Sequence, residues 1–161
     1  MATRRYTIKR IAGLKASKFR AVVFLCCPDD PRIDAEAVFE QLKRKKDMEL
    51  RVSFDHWIDR MTANTRFHGW PNDQRYKDCF VFKWKDNRLH HRFYGFLCHP
   101  MPISTPRFEL CVLVSHATKT ERETDEGELA LQESMRKDGY VQAAIRAVFP
   151  EMKGGARIWL N

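Results

Sequence analysis

The sequence has no long hydrophobic run. Its longest wholly apolar segments are residues 21–27 and 110–114, whereas a helix that spans a membrane needs about 20 apolar residues. The amino terminus is basic and lacks an apolar segment followed by small residues, so no signal peptide is indicated. The 161 residues match the size of one domain. We therefore expect a cytoplasmic protein with no membrane partner.

The sequence also lacks the short motifs of several enzyme classes. It contains no G-x-G-x-x-G, P-loop, G-x-S-x-G or H-E-x-x-H, which leaves nucleotide-driven, serine-hydrolase and zinc-protease chemistry without support. No cysteine pair has C-x-x-C spacing, and the number of cysteines is odd: Cys26, Cys27, Cys79, Cys98 and Cys111. Four of them lie in apolar or aromatic runs, so they are predicted to be reduced core residues. Neither a metal nor another cofactor is expected.

Basic residues exceed acidic ones, 29 Lys and Arg against 21 Asp and Glu, for a net charge of +8. The excess lies in two segments. Residues 1–20 hold seven basic and no acidic residues, and residues 61–100 hold seven basic and three acidic ones. Such a basic field favours polyanions such as RNA, DNA or an acidic protein. A solubility charge with a basic tail is the alternative interpretation.

Residues 1–18 are predicted to form a basic, loosely docked arm, and a buried strand follows over residues 19–27. Asp34 can cap a first helix, whose apolar stripe is Ala35, Val38, Phe39 and Leu42. The spacing of Leu50, Phe54, Trp57, Ile58 and Met61 is typical of one face of a second helix.

The run FVFKWKDNRLHHRFYGFL, residues 80–97, is predicted to form a hairpin. A turn at Asp86 and Asn87 would pair Lys83 with His90 and place two kinds of side chain on opposite faces. The apolar face holds Phe80, Phe82, Trp84, Leu89, Phe93 and Leu97, with His91 as a core histidine. The other face is basic and aromatic and holds Val81, Lys83, Lys85, Arg88, His90, Arg92, Tyr94 and Phe96.

Three elements are predicted after the hairpin. A proline-containing loop over residues 98–107 leads to a central strand over residues 108–114. A helix covers residues 124–137, and the stripe Val141, Ile145, Val148 and Phe149 indicates another helix after Gly139. Residues 139–161 are thus predicted to be a helical extension of the domain.

The order of these elements resembles the RelE/HigB-type toxins, including their phage-derived relatives. The likeness lies in the hairpin FVFKWK with HHRFYGF, the strand FELCVLVSH and the stretch HATKTERETDEGELALQESMR, and it covers residues 19–138. It implies an α+β fold, with a small twisted antiparallel sheet, two N-terminal helices packed on one face, and C-terminal helices. It also implies cleavage of messenger RNA on the ribosome, and silencing by a cognate antitoxin, expected to be a helix-turn-helix protein.

RNA cleavage without a metal needs a base, a fixed cation and an acid. Arg92 is the candidate clamp for phosphate oxygens, and Lys83 and Lys85 could hold neighbouring phosphates or either could act as the base. His90 and His116 suit proton transfer because they titrate near neutrality. Tyr94 could stack on a base or support the 2′-hydroxyl. The candidate nucleic-acid-binding residues are Lys85, Arg88 and Lys119.

Two other classes of function fit the same residues. The first is a non-catalytic nucleic-acid-binding or regulatory module that uses the basic sheet face. The second is a phage-type structural or interaction protein with an unrelated fold. His56, His68 and His99 lie in no recognisable constellation and are given no role.

Overall fold

The computed structural model describes residues 5–59, 66–101, 108–119 and 126–149, without the side chains of Met101 and Lys119. These described residues form a mixed α/β fold with a six-stranded sheet and four helices. The elements are β1 Thr7–Arg10, β2 Arg20–Cys26, α1 Ala35–Glu40, α2 Arg44–Ile58, β3 Phe67–Gly69, β4 Cys79–Asp86, β5 Leu89–Met101, β6 Phe108–Lys119, α3 Glu126–Lys137 and α4 Gly139–Val148. None of these helices has the length and apolar composition needed to cross a bilayer.

The strand order is β1-β2-β6-β5-β4-β3. All neighbours are antiparallel except β2 and β6, which are parallel. The expectation of a wholly antiparallel sheet is therefore wrong at this pair. Parallel neighbours need a long crossover between them, and here the segment from α1 to β5 supplies it.

The two faces of the sheet are covered by different helices. Val22 and Phe24 of β2 pack with α1 and α2, whereas Val23 and Leu25 belong to the core that contains Met135 of α3 and residues of α4. Since neighbouring residues of a strand point to opposite faces, the helix pairs lie on opposite sides of the sheet. Two strands precede α1, so the arrangement that starts from two N-terminal helices is not confirmed.

The amino-terminal segment differs from the predicted loose arm. Residues 7–10 form β1, which pairs with β2, and Ile8 and Ile11 are buried. The short strand β3 was not predicted either. The cysteine prediction holds, because Cys27, Cys79, Cys98 and Cys111 are buried and Cys26 is half-buried.

Helix starts also differ from prediction in detail. Helix α1 does follow Asp34, but the Asp34 side chain makes no capping hydrogen bond. Its Oδ1 instead accepts a hydrogen bond from the backbone N–H of His116, 2.8 Å away. Helix α2 begins earlier than its apolar stripe. The predicted positions Met61 and Thr124, and residues 150–161 of the extension, lie outside the described residues.

The β4–β5 hairpin has the predicted faces but a different turn. Asn87 has a positive φ of 55°, and Asp86 pairs with Leu89 across a turn formed by Asn87 and Arg88. Lys83 therefore pairs with Arg92 and not with His90. The register differs by two residues, an even number, so every side chain keeps its predicted face.

A β-bulge interrupts the pairing of β5 with β6. Tyr94 pairs with Ser115, and Gly95 pairs with Leu113, which leaves Val114 as the extra residue. A Cβ atom at position 95 would overlap the carbonyl oxygen of Val112, so the close approach of the two strands requires glycine. After the bulge, each side chain of β6 points to the face opposite to the one that strict alternation from Val112 would give.

Candidate nucleic-acid interface

A groove of about 610 Å³ lies beside the outer end of β4. We call it the cationic groove because six of its lining residues are basic or histidine. These six are Arg66, His68, Lys83, Lys85, His90 and Arg92. Glu49, Leu50 and Ser53 of α2 and Trp84 complete its lining. Sequence positions more than 40 residues apart thus meet at one concave surface.

Three basic residues, Arg66, Lys83 and Arg92, lie side by side on three adjacent chain segments. Lys83 pairs with Arg92, and the backbone N–H of Lys83 donates a 2.7 Å hydrogen bond to the carbonyl of Arg66. The next row toward the turn contains Lys85 opposite His90, and His90 pairs in turn with Lys119 on β6. Like charges at such spacing repel one another, so this surface favours an anion that contacts several of them at once.

Tyr94 is buried beneath the groove and not exposed at its surface. Its side chain is fully buried, packed with Trp70 and Leu129 of α3. Arg92 is 5% exposed, and its Nη1 donates a 3.2 Å hydrogen bond to the Tyr94 hydroxyl oxygen. Tyr94 therefore cannot stack on a nucleobase as suggested, but it holds the Arg92 guanidinium at the base of the groove.

The part of this face next to Tyr94 is closed by α3. Gln132 is completely buried, and its Nε2 donates a 2.9 Å hydrogen bond to the Ser115 hydroxyl, which donates a 2.7 Å bond to Glu128. These contacts of α3 lie around Tyr94 and Ser115, whereas the cations lie nearer the β4–β5 turn.

His116 lies on the opposite face from Arg92. Its Nε2 is 3.0 Å from Nδ1 of His91, and the His91 ring stacks on Trp84 with 5.0 Å between centroids. Burial lowers the pKa of both histidines, and the neighbouring His91 lowers that of His116 further. The structure thus separates His116 from the other four candidate catalytic residues. The prediction that His91 faces the apolar side is confirmed.

The candidate binding residues have different positions. Lys85 is exposed at the rim of the cationic groove, whereas Arg88 is exposed in the turn and does not line it. Lys119 is in register with His90. Within the described ranges, no three His, Cys, Asp or Glu side chains are close enough together to hold a metal ion.

His68 belongs to the site although the sequence pattern gave it no role. It pairs with Val81 across β3 and β4, and its Nδ1 is 3.2 Å from the carbonyl oxygen of Gly69. Burial lowers its pKa, with further lowering by Lys83 and Arg92. Strand β3 has only three residues, which is too short to show the alternation that would have identified it.

Comparison with known proteins identifies no relative, because no family model, no curated protein and no solved structure matches this chain.

Proposed function

We propose that this chain is a metal-independent endoribonuclease of the RelE/HigB toxin type, acting in the cytoplasm on messenger RNA bound to the ribosome and neutralised by a cognate antitoxin. The row of Arg66, Lys83 and Arg92 in the cationic groove carries the proposal. Cations on three adjacent chain segments can contact the phosphate oxygens of a single RNA strand together.

The order of elements also supports it. From β2 to α3 the chain runs through a strand, two helices, further strands that end in the meander β4-β5-β6, and a helix. That order underlies the resemblance, with β3 as an added strand before the hairpin. The finer proposal is a RelE-like sheet whose open, turn-proximal face binds RNA.

Each task of the reaction falls to a different residue. Arg92 is the best placed to stabilise charge that develops on the phosphorane, because Tyr94 fixes its guanidinium and the site is partly desolvated. Lys83 holds the same phosphate, and Lys85 at the rim holds a neighbour. His90 is available for proton transfer, whereas His116, on the opposite face, has no part in this mechanism.

Single-turnover cleavage of a messenger on programmed ribosomes, with chelator present, tests the proposal. Arg92→Ala should reduce the rate by a factor on the order of 10² to 10³, and Arg92→Lys, which keeps the charge, should also lose rate because it cannot bind two oxygens at once. Lys85→Ala should weaken binding with little change in rate at saturation. Lys137→Gln on α3 is the matched control for loss of one charge.

A second candidate function is an RNA-binding module without catalysis that uses the same cationic groove. Both candidates predict that affinity for single-stranded RNA falls steeply with salt, by about 0.7 in the logarithmic slope for each phosphate contacted. Binding with that slope but no cleavage by the wild-type protein would favour the second candidate. A slope near zero would exclude both.

A further inference from the structure

His68 lies next to the row of cations. It pairs with Val81, and Val81 pairs with Tyr94 across β4 and β5. These residues share one sheet face with Lys83 and Arg92, which are two positions along the same strands. His68 therefore lies diagonally across from Lys83 on the neighbouring strand, and Arg92 lies on the next strand beyond, on the same face.

The hydrogen bond of His68 determines which ring nitrogen can accept a proton. A carbonyl oxygen only accepts, so the contact between Nδ1 and the Gly69 carbonyl places the ring proton on Nδ1. The neutral ring then has its lone pair on Nε2. The ring orientation is further limited by Trp70, whose ring centroid is 4.8 Å away in an edge-to-face arrangement.

We propose that His68 is the general base of the RNA cleavage reaction, an inference that rests on the proposed function. Its Nε2 removes the proton from the 2′-hydroxyl of the nucleotide whose 3′-phosphate contacts Lys83 and Arg92. The 2′-oxygen then forms a bond to phosphorus, and the bond from phosphorus to the 5′-oxygen breaks. That oxygen takes a proton from the His90 ring, so the products are a 2′,3′-cyclic phosphate and a 5′-hydroxyl.

The surroundings of His68 suit this role. The titratable and charged groups that share the groove with it are Arg66, Lys83, Lys85, His90, Arg92 and, from α2, Glu49. Burial, Lys83 and Arg92 together lower the pKa of His68 below 6.5, which keeps the ring neutral and able to accept a proton near pH 7. After the proton transfer, the imidazolium would be repelled by the same cations, which favours release of the proton to solvent.

His68→Asn is the sharpest test, because the asparagine amide can still donate to the Gly69 carbonyl but has no group at the Nε2 position. We expect the single-turnover rate to fall by a factor on the order of 10² to 10⁴, the contribution of general base catalysis. Affinity for a non-cleavable RNA with 2′-deoxy nucleotides should change by less than about twofold, since His68 contacts the 2′-hydroxyl and not the phosphate. His56→Asn on α2, outside the groove, is the matched control.

Two readouts separate catalysis from a structural role. The wild-type rate should rise with pH along a limb with an apparent pKa below 6.5, and this limb should be absent from His68→Asn. Added imidazole should restore part of the rate to His68→Ala. If the wild type cleaves and His68→Asn keeps its rate and pH profile, the role of His68 is refuted while the proposed function stands. If the wild type does not cleave at all, the proposed function is refuted, and the role of His68 is refuted with it.

Discussion

The two faces of the β4–β5 hairpin differ in what they contribute to the protein. Toward α1 and α2 the sheet presents a continuous set of aromatic rings, in which Phe82 contacts Phe54, Trp57, Phe67 and Phe80. Toward the opposite side, the same two strands present the cations of the cationic groove, which Trp84 and three residues of α2 also line. Residues adjacent in sequence can thus serve separate purposes, because a strand divides its side chains between stability and binding.

The largest effect is expected from Gly95→Ala, which attacks the bulge that sets the faces of β6. The added Cβ would overlap the backbone carbonyl oxygen of Val112. A backbone atom inside a strand cannot move aside as the end of a flexible side chain can. We expect a loss of at least about 4 kcal/mol in the free energy of unfolding, in the range reserved for severe backbone or core disruption. Urea unfolding measures it, with Gly139→Ala as the control, because a Cβ at position 139 meets no atom within 4 Å. Equal stability of the two variants would contradict the observed strand pairing.

A second experiment compares the faces directly on β4. Phe82→Ala should cost about 3 to 5 kcal/mol in unfolding free energy, since it removes a fully buried ring. Lys85→Ala, on the exposed groove side, should change stability by no more than about 0.5 kcal/mol but weaken RNA binding. Chemical denaturation and RNA titration of both variants give the two quantities. A large stability loss in Lys85→Ala would show that the groove side is also structural.

The smallest expected effect is a dependence of the free energy of unfolding on pH, caused by His91 and His116 on the face that packs against α1 and α2. The pKa values of His91 and His116 lie below the 6.5 of a free histidine, so between the folded and unfolded pKa the unfolded chain binds more protons. The free energy of unfolding should therefore decrease as pH falls below 6.5. The double variant His91→Gln, His116→Gln should show a weaker decrease, the remainder coming from His68. Unfolding curves at several pH values measure this, and an unchanged slope in the double variant would contradict it.

Local patterns were sufficient for the hairpin. Alternation along residues 80–97 predicted which side chains share a face, and the structure confirms the division although the turn is at Asn87 and Arg88. The prediction survived the register error because the difference is an even number of residues. Helices α1, α2 and α4 were likewise visible in their apolar spacing, with their ends less accurately placed.

The candidate site was only partly predictable. Lys83, His90 and Arg92 do line one groove with Lys85, as alternation suggested. Tyr94 was assigned to the right face but is covered by α3, and coverage depends on a helix far along the chain. His68 was missed because its three-residue strand has no readable period, and Arg66 because it lies just before that strand.

The position of His116 shows where local pattern stops and long-range contact takes over. The residue types of β6 determine that it is a buried strand, since it is apolar on both sides. Strict alternation from Val112 and Val114 would put His116 on the face of Arg92, but the bulge opposite Gly95 reverses the alternation and puts it beside His91. A bulge arises from the pairing of two strands. The sequence of one strand alone therefore does not determine which face its residues occupy after the bulge.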